Sequence, residues 1–256
     1  VNGVVIIGGT GNKFKDASSV NGAVRAFDAV TGEFLWSFDT LIRDPDSDES
    51  LPYNVGGANV WTTMSVDSER DLVFIPTASA SPNFYGGLRP GDNRYANSVL
   101  VLKAQTGELV WHYQTIHHDI WDWDLPTHPL LVDVTTDDGK QPIVIALGKT
   151  GMVYTFHRDS GDPYFEIEER AVPTDGILGD QLSPTQPFPV KPPPLVRQGI
   201  TPDDAWGVTP FEREACREMI ASARYGEMFT PMSTKGTIMY PQVGGGANWG
   251  GGAFDP

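Results

Sequence analysis

One eleven-residue pattern occurs twice almost unchanged, and it restricts the chain to folds built from repeated hairpins. Residues Ala26–Trp36 read AFDAVTGEFLW, and residues Val101–Trp111 read VLKAQTGELVW. A degenerate third copy covers Tyr154–Tyr164. In each copy we expect a strand, a tight turn in which glycine supplies a positive φ, and a second strand that opens on an aromatic residue. A single copy would indicate only a hairpin with a core tryptophan, whereas repeated hairpins are typical of a β-propeller.

The composition supports an all-β fold. The 256 residues include 28 glycines and 21 prolines, a combined share above the usual one. This excess favours many turns and short strands over long helices. Hydrophobic residues make up 39% of the chain and seven residues are tryptophan, which is enough for one large all-β domain or two smaller ones.

The charge and the cysteine count exclude several classes of site. A formal net charge of −15 argues against nucleic-acid binding, which needs basic patches to neutralise phosphates. It also argues against docking of this segment on anionic lipid. The single cysteine, Cys216, excludes an internal disulfide and a cysteine-based zinc site, and it does not decide the compartment. No apolar run approaches the length of a membrane span.

Two apolar segments between the repeats, Leu72–Pro76 and Pro142–Leu147, are predicted strands. After the third repeat the chain becomes rich in proline, from 173 to 210, and includes the run Lys-Pro-Pro-Pro. Such a run could bind a partner as a polyproline helix, but we favour a surface loop clamped on the fold.

A short helix is predicted directly after this loop. Thr209 suits the N-cap, Pro210 the first turn and Glu212 the capping box. We expect the helix to run to about Arg224 and to end before Gly226. Residues 173–226 are therefore predicted to be an inserted proline-rich loop plus a short helix, and not a separate domain.

The segment His117–Asp124 reads HHDIWDWD and contains the residues best suited to chemistry. If it is extended, Asp122 and Asp124 project to one face and Trp121 and Trp123 to the other. One face would pack while the other presents carboxylates to a cavity, where they could act as a general base or as metal ligands. The alternative is an acidic, solvated loop.

This motif resembles the active-site segment of dehydrogenases that depend on pyrroloquinoline quinone (PQQ). The match consists of His118-Asp119-x-Trp121-Asp122, preceded by Thr-Gly-x-x-x-Trp elements. The doubled histidine and the run Asp122-x-Asp124-Leu-Pro are similar to the membrane glucose dehydrogenase branch. The resemblance extends from Val4 to Pro256. It implies an eight-bladed β-propeller of which residues 1–256 supply about three blades, and the chain reads as an internal fragment of a longer protein.

The resemblance also implies roles for individual residues. Asp122 corresponds to the base that takes the substrate proton, and Lys149 to a basic residue that contacts the quinone oxygens and stabilises charge there. Trp61, after a glycine-rich run, matches the platform beneath the planar cofactor. Asn248 and Trp249 lie in a glycine-rich loop similar to another cofactor contact.

The metal site departs most from the family pattern. By resemblance, a divalent cation, calcium or magnesium, would be bound by Asp122, Ser79 and Asn12. Ser79 stands where relatives have asparagine, and a hydroxyl is a weaker calcium ligand than an amide carbonyl. The glutamate ligand of relatives has no clear match between Gly11 and Asn21, and Gly11 replaces an aspartate.

The resemblance therefore implies oxidation of a sugar or polyol hydroxyl by PQQ, with a membrane quinone as electron acceptor. The expected location is the periplasm, with any anchor to the inner membrane in a segment outside these residues. Two alternatives remain: a PQQ alcohol dehydrogenase with another substrate, and a non-catalytic propeller scaffold. A scaffold has no reason to retain Asp122, Lys149 and Trp61 together.

Overall fold

In a computed structural model, the structure describes residues 1–10, 22–42, 48, 50–51, 55–137 and 139–255. Fourteen short strands, one 3-10 turn and one α-helix make up its regular structure. The strands are β1 Val4–Ile7, β2 Val24–Asp28, β3 Phe34–Phe38, β4 Ser65–Asp67, β5 Leu72–Pro76, β6 Ser98–Lys103, β7 Leu109–Gln114, β8 Leu130–Thr136, β9 Gly139–Leu147, β10 Val153–His157, β11 Ile167–Ala171, β12 Thr185–Pro189, β13 Gly199–Ile200 and β14 Gly226–Glu227. The 3-10 turn is Pro202–Asp204 and the helix α1 is Pro210–Ser222.

Three antiparallel sheets follow one another along the chain. They contain β1-β2-β3, β4-β5-β6-β7 and β8-β9-β10, and within each sheet consecutive strands are neighbours. Two small ribbons, β11-β12 and β13-β14, complete the pairing. Successive antiparallel meanders are the architecture of propeller blades.

The repeated pattern forms the predicted hairpins. Ala26 pairs with Trp36 across β2-β3, and Val101 pairs with Trp111 across β6-β7. The register shifts by one position at the same place in both copies. In the third copy, β10 turns at Gly161, where φ is +77°, and the return strand is reduced to one bridge between Phe156 and Pro163. Proline has no amide hydrogen to continue the ladder.

The two repeat tryptophans occupy equivalent positions between neighbouring sheets, as the matching motifs predict. Nε1 of Trp36 donates to the carbonyl of Ala104 at 3.1 Å, and Nε1 of Trp111 donates to the carbonyl of Arg158 at 3.0 Å. Each indole also covers the turn glycine of the next repeat, Gly107 or Gly161. The motif therefore joins one sheet to the next.

The core consists of apolar layers between these sheets. One layer contains Val24, Val73 and Leu100, and the next contains Phe74, Val144 and Phe156. Burial of such a side chain contributes roughly 1.5–3 kcal/mol. Phe74 of β5 and Val144 of β9 belong to the second layer, and the loops after β5, β7 and β9 carry the polar residues described below.

The insertion is more structured than a proline-rich loop. It contains β12, β13 and the 3-10 turn as well as α1. Prolines suppress strand signals in a sequence, but β12 forms a two-stranded edge ribbon, where proline is tolerated. The predicted capping box is present, with Thr209 accepting from the Glu212 amide. The helix ends at Ser222, two residues before the predicted end, because Ala223 is already extended.

Within the described residues, no helix combines the length and apolarity needed to cross a bilayer.

Candidate active site

The segment 117–124 separates its side chains as predicted, although it is not a strand. The indoles of Trp121 and Trp123 are stacked with centroids 5.4 Å apart and planes at 14°, and the ring of Phe229 meets both edge-on. Asp122, with φ at +59°, and Asp124 both contact Lys149 instead. The aromatic side anchors the loop, and the acidic side is held for polar contacts.

Lys149 links the two carboxylates from the turn after β9. Its Nζ donates to the backbone carbonyl of Asp122 at 2.7 Å, to Oδ2 of Asp122 at 3.0 Å and to Oδ2 of Asp124 at 3.0 Å. Burial alone would lower the pKa of Lys149, but the carboxylates of Asp124 and Asp122 outweigh it and hold the pKa above 10.5. Lys149 is therefore a permanent cation, and its three donors all face this pair.

Asp119 organises the loop from within. It accepts hydrogen bonds from the amides of Trp121 and Trp123, both at 2.9 Å, from Nδ2 of Asn97 at 3.0 Å and from Oγ of Ser79. Burial raises the pKa of Asp119 above its usual range, although the bonds from Ser79 and Trp121 stabilise the charged form. With its oxygens saturated by these donors, Asp119 positions the loop.

The fully buried Arg89 lies behind this loop. Its Nε donates to the carbonyl of Pro82 at 3.1 Å, and its two terminal nitrogens donate to the carbonyl of Asp119 and the side chain of Asn93. Burial lowers the pKa of Arg89 to about 10, so the side chain is charged at neutral pH. Arg89 thus connects the loop after β5 to the loop that carries Asp122.

Asn83 is a site residue that the sequence did not reveal. It is 1% exposed, in the loop after β5, and its Nδ2 donates to Oδ1 of Asp122. Lys149 binds the other oxygen, so the Asp122 carboxylate is held from both sides. An isolated asparagine in a loop carries no pattern, and only the fold places it here.

The two described candidates for metal ligands make separate contacts. Ser79 donates through its amide to Oδ1 of Asp124 at 2.7 Å, whereas Asp122 is bound by Asn83 and Lys149. No group of three acidic, histidine or cysteine side chains among the described residues fits a metal ion. Asn12 lies outside the described residues. The metal ligands therefore stay a prediction.

A cavity of about 310 Å³ lies beside Lys149 and is lined by Trp61, Thr62, Thr63 and Trp249, a volume at the lower end of the range for small-molecule sites. Nζ of Lys149 is 5.8 Å from the centroid of the Trp61 ring. The ring of Trp249 is 5.8 Å from that of Trp61, inclined by 43°, and is 71% exposed.

The glycine-rich loop 244–252 closes against Lys149. The amide of Gly246 donates to the Lys149 carbonyl at 2.7 Å, and a Cβ on Gly245 would lie 2.6 Å from the Lys149 Cα. Asn248 uses its side chain inside the loop, donating to the carbonyl of Gly244 and accepting from the amide of Trp249. The loop therefore brings Trp249 to the cavity, while the cofactor contact predicted for Asn248 stays a prediction.

These features fit a planar, anionic, conjugated cofactor such as PQQ. Trp61 offers a ring to stack on, Gly245 allows close backbone approach, and Lys149 brings positive charge to the edge of the cavity. A quinone with acidic substituents would contact the cation of Lys149 once one of the bonds from Lys149 to Asp122 or Asp124 is exchanged.

Comparison with known proteins identifies the family. The PQQ family "Glucose/ethanol/alcohol dehydrogenase, beta-propeller domain" matches residues 1–256. The quinoprotein glucose dehydrogenase of Escherichia coli is 38% identical over 99% of this chain and 32% of its own length. The quinate/shikimate dehydrogenase (quinone) of Acinetobacter baylyi is 39% identical over 94% of this chain and 30% of its own length. The chain thus spans about a third of these relatives.

A solved structure agrees with this assignment. The quinohemoprotein alcohol dehydrogenase ADHIIG of Pseudomonas putida is 28% identical, with a TM-score of 0.56 over 68% of this chain and 28% of that chain. The family match agrees with the fold, which has three consecutive sheets joined by tryptophan contacts. The chain belongs to the PQQ-dependent dehydrogenases and is a segment of their β-propeller domain.

Proposed function

We propose that the protein containing this segment oxidises a hydroxyl of a sugar or polyol, with PQQ as the first electron acceptor and a membrane quinone as the next. The observation that carries the proposal is the Asp122 carboxylate, held between Asn83 and Lys149, with Nζ of Lys149 5.8 Å from the Trp61 ring that lines the cavity. Two relatives support the substrate class and the acceptor, since they are a glucose dehydrogenase and a quinate/shikimate dehydrogenase (quinone).

In this mechanism Asp122 is the general base. The bonds from Asn83 and Lys149 fix the carboxylate in orientation, and the carboxylate accepts the proton of the substrate hydroxyl. When bound, PQQ supplies a two-electron acceptor for the hydride that leaves the same carbon. Lys149 keeps its positive charge next to the Asp122 carboxylate.

Lys149 has a second proposed role toward the cofactor. Its three donors are used on Asp122 and Asp124 in this structure, so contact with a quinone oxygen requires the exchange of one of these bonds. Trp61 would carry the cofactor ring, and Trp249 lines the same cavity. Asn248 would contact the cofactor after leaving its bond to Gly244.

Three further parts of the proposal rest on the family resemblance. The sheets β1-β3, β4-β7 and β8-β10 would be about three consecutive blades of an eight-bladed propeller. The protein would act in the periplasm. A calcium or magnesium ion would be held by Asp122, Ser79 and Asn12, and no step is assigned to that ion, because the described residues do not form a metal cluster.

A PQQ alcohol dehydrogenase is the second candidate, favoured by the 28% identity to the Pseudomonas putida enzyme. Such an enzyme would use Asp122 as the base and Trp61 as the cofactor platform in the same way, and it would differ only in its substrate. A propeller used only as a scaffold would not need a buried carboxylate held by two donors.

The test uses the full-length protein reconstituted with PQQ and a divalent cation. Asp122→Asn keeps the shape of the side chain but cannot take the proton, so turnover should fall about 10²- to 10⁴-fold while PQQ titrates as in the wild type. Trp61→Ala should weaken PQQ binding first. Asp137→Asn, on the exposed turn after β8, is the matched control. Near-normal turnover of Asp122→Asn on every alcohol would refute the role of Asp122.

A further inference from the structure

Asn83 has an unused acceptor next to the proposed base. Its Nδ2 donates to Oδ1 of Asp122, and its Oδ1 is buried without a hydrogen-bond partner among the described residues. A buried polar atom without a partner costs free energy, and native proteins keep few of them. We therefore expect Oδ1 of Asn83 to accept a hydrogen bond from a bound ligand.

The orientation of the amide is fixed by its neighbour. If the side chain were flipped, its Oδ1 would face the Asp122 carboxylate and the two oxygens would repel each other. Nδ2 and Oδ1 of Asn83 belong to one amide group. Because Nδ2 contacts the Asp122 carboxylate, Oδ1 of Asn83 must lie close to that carboxylate. The base and a neutral acceptor thus stand side by side.

From this arrangement we propose that Oδ1 of Asn83 accepts a hydrogen bond from a second hydroxyl of the substrate. The inference rests on the proposed function and deepens it, because it makes Asn83 a specificity-determining residue for vicinal diols. In a diol, one hydroxyl donates to Asp122 and is oxidised, and the adjacent hydroxyl donates to Asn83. A monohydric alcohol leaves the amide oxygen without a partner.

The amide of Asn83 and the carboxylate of Asp122 are buried to a similar extent. Asn83 is 1% exposed and Asp122 is 3% exposed, and their side chains are in direct contact. Arg89 keeps the loop of Asn83 in register with the loop of Asp122, through its bonds to the carbonyls of Pro82 and Asp119. A site that binds a substrate hydroxyl in this way rejects the analogue that lacks it.

The experiment compares propane-1,2-diol with propan-1-ol in the full-length, PQQ-loaded protein. In Asn83→Leu, which has similar volume and no acceptor, the ratio of kcat/KM for diol over monoalcohol should fall about tenfold relative to the wild type, the value of one hydrogen bond. An unchanged ratio in a folded, active variant would overturn the inference and leave the proposed function standing. If the wild type oxidises no alcohol, the proposed function itself fails.

Asn83→Asp separates the two bonds of the amide. It keeps an acceptor oxygen, so the diol preference should persist. It loses the donor to Asp122 and places two carboxylates together, so kcat should fall for both substrates and the acidic limb of the pH profile should move to higher pH. A purely structural Asn83 would instead lower activity in both variants and leave the ratio of diol to monoalcohol oxidation unchanged.

A binding measurement covers the case in which Asn83→Leu has no turnover. The protein without PQQ oxidises nothing, so ligand-observed NMR can compare how it binds the two alcohols. The wild type should bind the diol more tightly than propan-1-ol, and Asn83→Leu should bind both alike. Equal discrimination by the two proteins would reject the inference without reference to catalysis. Circular dichroism of each variant confirms that it is folded.

Discussion

Gly161 lies directly against the indole of Trp111, so closely that a Cβ on the glycine would be 2.5 Å from Cδ2 of the ring. Gly107 has the same relationship to Trp36. Gly32, the turn glycine of the first repeat, has the same positive φ and no atom within 4 Å of such a Cβ. The three turns therefore separate the cost of backbone strain from the cost of packing.

Gly161→Ala should destabilise the protein more than Gly32→Ala. Both substitutions place alanine at a positive φ, near +77° and +74° respectively, but only the first drives a methyl group into Trp111. The difference should be about 1–3 kcal/mol, the usual cost of overpacking. Urea denaturation of both variants gives it directly. Equal destabilisation would mean that the indole moves away without cost.

Lys149→Met should destabilise the protein strongly at neutral pH, by about 3–5 kcal/mol, because it leaves the buried carboxylates of Asp122 and Asp124 without their cation. Lys140→Met, on the exposed end of β9, is the control and should change stability little. In the wild type the pKa of Lys149 is raised, so its contribution is present below pH 10.5 and is lost only as the pH rises above that value. Denaturation curves between pH 7 and 11 test both points.

His118 should make the protein sensitive to mild acid. Burial and the charge of Arg89 lower its pKa below 6.5, although the carbonyl of Gly91 partly opposes this. The unfolded chain therefore takes up a proton before the folded protein does. The contribution of His118 to stability is full above pH 6.5 and is lost as the pH drops toward the lowered pKa of the folded protein.

The variant His118→Asn tests that assignment. Asparagine tolerates the positive φ of 46° at this position and can donate to the same carbonyl. The difference in melting temperature between pH 7.5 and pH 5 should shrink in this variant. If it is unchanged, another group titrates in this range.

Arg89→Lys should reduce both stability and turnover although it keeps the charge. The guanidinium of Arg89 reaches three acceptors at once, and a lysine ammonium does not reproduce that fork. Loss of hydrogen bonds to a buried charged group costs roughly 1.5–3 kcal/mol each. Arg213→Lys, exposed on α1, is the control. If Arg89→Lys lowered stability and left kcat intact, the link from Arg89 to Asp122 would be refuted.

The parts of the fold that the sequence predicted are those with local causes. The hairpins follow from glycine and strand alternation within eleven residues, and the start of α1 follows from Thr209 and Glu212 within four. The separation of Trp121 and Trp123 from the aspartates was also predicted, although a positive φ at Asp122 and not a strand produces it. The ribbon strand β12 was missed because prolines mask short edge strands.

The parts that were missed depend on distant loops. Asn83 and Arg89 carry no motif, and their importance arises because the loop after β5 meets the loop after β7. Lys149 was expected to face the cofactor, and the structure shows that its three donors are first committed to Asp122 and Asp124. Such competition between partners is decided by three-dimensional distances, which a spacing along the chain does not contain.

The hydrogen bond from the Gly246 amide to the Lys149 carbonyl joins the glycine-rich loop to a distant part of the chain. Trp61, Asp122 and Lys149 lie in loops between strands, and the cavity is bounded by the glycine-rich loop through Trp249. A chain with every strand in place and the loop undocked would have the base and no complete pocket. Cofactor binding in this cavity would therefore depend on the contact between residues 149 and 246, which lie far apart in the sequence.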